Sequence, residues 1–297
     1  VKKVLDEVFT DQQGEVLLQE KKLGPFTYRY AYARSADSRS EDEAGQDYLM
    51  FRCAEDSFVF AVCDGVGLSF NGDMAAKFLG KKLCEWLESE RIDAGLDQCD
   101  LQHELTQFLN SLIPEASLMI NRFEIDSQIQ GFHREVLEEK REHGSETTYI
   151  CGRIDISHDP SRENRLLLAW QGDSRLRMWG EEGEQTHLLG NRFLTKQRWS
   201  TSKGPVGGEP NVFVTRLSND GVLNKLLIYT DGLSELDRLS YSPTSEKLHD
   251  HIQLANEKPG SDDLSLMEIG WNLESLLNEE AKHHSLRLMF QKRRKDV

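Results

Sequence analysis

Apolar residues recur along the chain in two rhythms. Between Gly72 and about Glu90 they fall three and four apart, at Ala75, Ala76, Leu79, Leu83, Trp86 and Leu87. That spacing lines one face of an amphipathic helix, with Asn71 or Asp73 near its start. A second helical block runs from Leu101 to about His143 and is interrupted at Pro114; Leu101, Leu105, Phe108, Leu109 and Leu112 share a face before the break. Elsewhere short apolar runs end in turn-forming residues and predict strands at 26–33, 58–63, 147–154, 165–170, 176–179, 211–217, 223–229 and 264–269. The polar run 34–45 predicts a loop.

The opening residues carry Val4, Leu5, Val8, Val16 and Leu17 among charged neighbours and predict a surface helix. Residues 273–289 predict a closing helix with a basic end, Lys292-Arg293-Arg294-Lys295. Strands around a central group of helices imply an α+β layered domain. No internal repeat or low-complexity linker divides it. The expected organisation is therefore an N-terminal helical extension (1–25), one large domain (26–270) and a C-terminal helical tail (271–297).

Composition narrows the functional classes. The chain has 297 residues, 38% hydrophobic and 29% charged, enough apolar material for a substantial core. A formal net charge of −15 repels phosphate backbones and argues against general nucleic-acid binding. No apolar stretch approaches the roughly 20 residues that cross a bilayer, and no secretory pattern opens the sequence. The five cysteines (Cys53, Cys63, Cys84, Cys99, Cys151) are odd in number and contain no C-x-x-C pair, against both zinc and a disulfide framework. A cytoplasmic protein without membrane or nucleic-acid partners is expected.

The chemistry is carried by aspartates that stand at the ends of strand patterns. Asp64 follows Phe-Val-Phe-Ala-Val-Cys, Asp173 follows Leu-Leu-Leu-Ala-Trp-Gln-Gly, Asp231 follows Leu-Leu-Ile-Tyr-Thr, and Asp262-Asp263 precede Leu-Ser-Leu-Met-Glu-Ile. Taken singly, an Asp-Gly or Gly-Asp pair is an ordinary turn former. Neighbouring strands would instead bring these carboxylates into one cleft, where like charges need cations. An all-oxygen set favours Mg²⁺, Mn²⁺ or Ca²⁺ over zinc.

The sequence resembles the PPM, or PP2C-like, metal-dependent serine/threonine protein phosphatases, in a form closer to the bacterial branch. The matching elements are Gly45-Gln46-Asp47, Val62-Cys63-Asp64-Gly65-Val66-Gly67 with Gly72-Asp73-Met74-Ala75-Ala76, Glu146-Thr147-Thr148, Gly172-Asp173-Ser174-Arg175, Tyr229-Thr230-Asp231-Gly232-Leu233 and Ser261-Asp262-Asp263-Leu264-Ser265. They keep the family's order from about Phe26 to Ile269. The resemblance implies a four-layer αββα sandwich, two antiparallel sheets flanked by helices, with domain 26–270 as the phosphatase domain.

It also implies two Mn²⁺ or Mg²⁺ ions. Asp64 would bridge them, Gly65 would offer its carbonyl to one, and Asp231 and Asp262 would hold the other. Asp47 would act through bound waters, and Asp173 matches a third, weaker metal site. Asp263 reads as a hydrogen-bonded turn residue and Ser174 as a strand-turn hydroxyl, since no G-x-S-x-G elbow surrounds it. The implied reaction is attack of a metal-activated water on phosphoserine or phosphothreonine of a phosphorylated protein, opposing a bacterial Ser/Thr kinase.

Three positions depart from the family. Leu68 stands where many relatives have a second glycine, Asp42 where many have a phosphate-clamping arginine, and Val66 where some have a histidine acid. Arg39 is the substitute candidate for phosphate, with Arg34 beside it. Residues 191–210 look like a family flap, with Gly207 and Gly208 for backbone freedom and Lys196, Arg198 and Lys203 as a basic docking patch. The missing clamp leaves an alternative, a non-catalytic phosphatase-like module that binds a kinase or sensor. The retained Asp64, Asp231 and Asp262 favour catalysis.

Overall fold

A computed structural model describes residues 3–89, 92, 97–157, 162–190, 192–218 and 223–273. Two antiparallel sheets stack face to face, with helices on the outer face of each, in the four-layer arrangement expected. The first sheet has eight strands: β1 (Val4–Phe9), β4 (Tyr48–Ala54), β5 (Ser57–Gly65), β6 (Glu146–Asp155), β7 (Arg165–Gln171), β10 (Arg198–Ser200), β11 (Gly204–Val206) and β12 (Asn211–Arg216). The second has six: β2 (Val16–Leu23), β3 (Phe26–Ala33), β8 (Arg175–Gly180), β9 (Gly183–Glu184), β13 (Lys225–Tyr229) and β14 (Leu264–Trp271).

The central strands are apolar on both faces because both faces are covered. Phe58, Phe60 and Val62 of β5 point into the layer between the sheets, while Val59, Ala61 and Cys63 point to the helices. On the second sheet Leu226 and Ile228 of β13 face inward, and Leu227 and Tyr229 face a smaller outer core. A strand with two buried faces reads as a continuous apolar run, which is why these segments stand out in sequence. Edge-to-face rings at the centre, such as Tyr28 against Phe51 at 5.3 Å, complete the packing.

The first sheet is backed by α2 (Gly72–Leu87) and α3 (Gln98–Ser111), with α4 (Ile113–Asn121) and α5 (Phe132–His143) beyond. Pro114 begins α4, so the break falls where its missing N–H costs least. On the second sheet, α6 (Ser245–Glu257) buries Leu248. Cys63, Cys84 and Cys151 are buried in the helix-side core as free thiols, and burial pushes all three up in pKa.

Three local expectations change. The opening residues form edge strands β1 and β2, not a helix, since β1 pairs with β4 and β2 with β3. The loop 34–45 contains a short helix, α1 (Ala36–Glu41), capped by the Ser35 hydroxyl accepting from the Ser38 N–H at 3.0 Å. Strand β4 has no counterpart in the sequence reading. The expected closing helix, from Leu273 onward, lies almost wholly outside the described residues.

The end of β5 and the start of α2 meet backbone to backbone. A side chain on Gly72 would place its Cβ 2.8 Å from the Gly65 carbonyl carbon and from the Val66 nitrogen, closer than packed atoms allow. Gly72→Ala is therefore expected to destabilise the protein by about 2–3 kcal/mol. Gly14→Ala, which meets nothing closer than 3.9 Å, is expected to stay near wild type. Urea denaturation of both variants checks this.

Candidate active site

Strand register brings the aspartates to one rim. Tyr48 of β4 pairs with Cys63 of β5, so Asp47 and Asp64 lie at the same edge. Asp64 pairs with Thr148, and Tyr149 pairs with Gln171, which places the Gly172-Asp173 turn beside them. On the facing sheet Tyr229 pairs with both Arg175 and Leu266, so Asp231 and Asp262-Asp263 end at the same rim.

Hydrogen bonds lock the rim across the sandwich. The Thr230 hydroxyl donates to Asp47 at 2.7 Å and accepts from the Ser265 N–H at 2.9 Å. Asp263 is buried and accepts the N–H groups of Ser35 at 2.6 Å and Gln46 at 2.7 Å. These bonds consume Asp263 as a structural acceptor that joins the two sheets. Gly232 sits so tightly on the Asp263 carbonyl that a Cβ would lie 2.1 Å from its oxygen. The Ser174 hydroxyl shares a 3.1 Å hydrogen bond with Thr148.

The carboxylates feel one another. Burial, then Asp231, Asp262 and Asp173, pushes Asp64 well above the ordinary carboxylate range. Burial, then Asp64 and Asp263, does the same to Asp47, against the opposing Thr230 hydrogen bond. Asp231 is raised by burial, Asp262 and Asp173, with Arg175 opposing. Tyr32 presents a buried hydroxyl without a hydrogen-bond partner in this field, and burial, then Asp47 and Asp263, raises its pKa as well.

A hard divalent cation fits this donor chemistry. The set is all oxygen, its members penalise each other's ionised forms, and the orphaned Tyr32 hydroxyl lies in the same anionic field. Among the described residues no group of three or more His, Cys, Asp or Glu side chains is placed so that it could by itself hold a metal ion. The cluster is thus defined by shared field and register.

The phosphate candidates are engaged elsewhere. Arg39 donates to the Arg34 carbonyl at 2.7 Å and to the Asn256 carbonyl at 2.8 Å, and also bonds the Asn256 side chain. Folding of 36–41 into a helix sends the Arg39 guanidinium to α6. Arg34 pairs with Glu15 at 2.9 Å and donates to the Glu43 carbonyl at 3.0 Å. Asp42, 99% exposed in its side chain, leaves the clamp position facing solvent.

The flap is more regular than its glycines suggest. β10 pairs with β6 through Trp199 and Thr147, and the buried Trp199 indole donates to the Leu109 carbonyl at 3.1 Å. Gln171 donates to the Gly208 carbonyl at 2.9 Å, tying the flap to the strand that leads to Asp173. Arg198 is paired with Glu146, while Lys196 and Lys203 remain exposed. Sequence reasoning did not single out Thr230 or Gln171. Their signal was adjacency to Asp231 and Asp173.

Neither a protein-family model nor a curated protein matches the chain. Solved structures do. The Staphylococcus aureus serine/threonine phosphatase Stp1 superposes with a TM-score of 0.55 at 16% identity, over 86% of this chain and 98% of that one. The chain has the PPM, or PP2C-like, phosphatase fold. A serine-threonine phosphatase 2C from Toxoplasma gondii gives 0.52 at 10% identity, over 90% and 99% of the two chains. RsbX, solved with magnesium, gives 0.50 at 11%, over 86% and 100%. At these identities the shared PPM property is the architecture.

The raised carboxylates generate a stability prediction. Asp47 holds its proton more tightly when folded than when unfolded, so its contribution is fully present below the unfolded value near 3.8 and is lost as pH rises through the folded value. In chelator, thermal stability is expected to fall as pH rises from about 4 toward 8. Asp47→Asn should recover about 2–4 °C at the upper end and nothing below pH 4. Melting curves across that range, with and without Mg²⁺, make the measurement; a variant that melts below wild type at pH 8 refutes the assignment.

Proposed function

We propose that the chain is a metal-dependent phosphoprotein phosphatase of the PPM family, acting on phosphoserine or phosphothreonine. The observation that carries this reading is the convergence of Asp64, Asp231 and Asp262, from strands of both sheets, into one repulsive field on this fold. Such a field costs stability and has no packing rationale.

In this reading Asp64, Asp231 and Asp262, with the Gly65 carbonyl, would hold two Mn²⁺ or Mg²⁺ ions, and Asp173 would serve a third, weaker site. Bound there, the ions supply Lewis-acid charge for the phosphoryl oxygens and lower the pKa of an attacking water. Asp47, oriented by Thr230, positions water at the cluster. Arg34 and Arg39 are both engaged with protein partners and not free to clamp phosphate. No side-chain nucleophile is used, in keeping with the hydrogen-bonded turn position of Ser174. The substrate is a phosphorylated protein and the opposing enzyme a bacterial Ser/Thr kinase, in the cytoplasm.

One observation favours the non-catalytic alternative: Arg39 is committed to α6 and Arg34 to Glu15. The two readings separate in one experiment. Hydrolysis of a small aryl phosphate is expected with Mn²⁺ or Mg²⁺ and is abolished by excess EDTA. Asp64→Asn and Asp231→Asn should each lower kcat by about 10³-fold or more while circular dichroism stays native. Full turnover in EDTA, or wild-type rates in either variant, overturns the catalytic assignment. A folded, metal-supplied protein with no turnover establishes the binding module.

A further inference from the structure

A cleft of 530 Å³ lies against the turn that follows Asp64-Gly65 at the end of β5. Val66, which follows the end of β5 and is two residues beyond Asp64 in the chain, lies on its wall. Its walls come from the Val66–Ser69 turn, the last turn of α5 and the flap. Lys140, Arg198 and Lys203 are its cations; Glu139 and Glu146 are its carboxylates. Arg198 and Glu146 neutralise each other in an ion pair. Lys140 and Lys203 have no anionic partner among the described residues. The cleft therefore carries a positive excess on a chain of net charge −15.

Lys140 has the more informative position. A helix C-terminus by itself accounts for Lys140, Arg141 and His143 as favourable last-turn residues. It does not account for a half-buried lysine that lines this cleft and also a second one, of 360 Å³, on the other side of Ser69. At the mouth, Leu68 replaces the small residue of the turn and stands 87% exposed. The combination is a cleft lined by two cations without anionic partners among the described residues and by an exposed apolar side chain, contributed by elements far apart in sequence.

We propose that this cleft determines substrate specificity by taking acidic side chains that flank the phosphorylated residue, with Lys140 and Lys203 as their counter-charges. The inference rests on the phosphatase reading for its reacting centre, but its occupant follows from charge complementarity in the cleft. It also relocates the docking role. Arg198, spent on Glu146, positions the flap strand, and the free cation opposite Lys203 comes from α5.

Three phosphoserine peptides that differ only in flanking Glu, Ala or Lys residues test it on the whole chain with Mg²⁺ or Mn²⁺. Wild type is expected to prefer the Glu peptide, and the preference should weaken with added salt. Lys140→Glu should lower kcat/KM for the Glu peptide by about tenfold, leave the Ala peptide and a small aryl phosphate within about twofold, and improve the Lys peptide. Lys140→Ala should give the intermediate result. Equal effects on all three peptides, or none, overturn the proposal. If wild type hydrolyses no aryl phosphate, the catalytic reading fails. Fluorescence anisotropy of the labelled peptides then decides the docking proposal by the same order of preference and the same charge reversal.

Discussion

Holding Asp47 and Asp64 inside the rim of a β-sandwich, within the field of further carboxylates, is the constraint around which the protein is built. Asp47 is 1% exposed, and its ionised form is opposed by burial before any neighbour is counted. Water would remove most of that penalty, so the fold must keep the strand ends together against it. It does so with the two-faced strands β5, β6, β13 and β14, whose alternate side chains fill the central and outer cores at once. Direct bridges at the rim, Thr230 to Asp47 and the Ser35 and Gln46 amides to Asp263, join the sheets where repulsion is strongest.

Within this frame the two adjacent aspartates of 262–263 divide their labour. Asp263 turns inward and accepts two backbone N–H groups, while Asp262 stays exposed and, among the described residues, accepts only the Asp263 N–H at 2.8 Å. The same sequence dipeptide thus supplies one structural acceptor and one carboxylate with spare oxygen capacity. A comparable division separates Arg198, paired with Glu146, from Lys203, which projects from the β10–β11 turn. Charge type alone does not distinguish the members of either pair; partners do.

The segment between β3 and β4 is put to structural use. A short helix at 36–41 uses Arg39 to bind α6 onto the second sheet's outer face, so that segment stabilises the domain. Positive charge near the rim comes from the opposite side, from α5 and the flap. Since the flap strand β10 is hydrogen-bonded to β6 and anchored by Trp199, its cations stand on a fixed support.

The chain's own pattern determined the central strands, the helix α2 and the placement of the aspartates at strand ends, because double-sided burial leaves uninterrupted apolar runs and turns leave glycine and aspartate behind them. The edges were different. Val4–Phe9 and Val16–Leu23 each bury one face in part, so their few apolar residues fit a helical spacing as well as a strand, and only pairing with β4 and β3 decides. Strand β4 escaped notice because Arg52 interrupts its apolar run; pairing on both sides and ion pairs to Glu7 and Glu88 accommodate it. The rim's carboxylates were legible one by one, and their mutual field was not, since it depends on strand order. The destinations of Arg39 and Arg198 were likewise decided by tertiary structure: a long cationic side chain takes whichever partner the fold brings within hydrogen-bonding reach, and those partners lie up to 217 residues away.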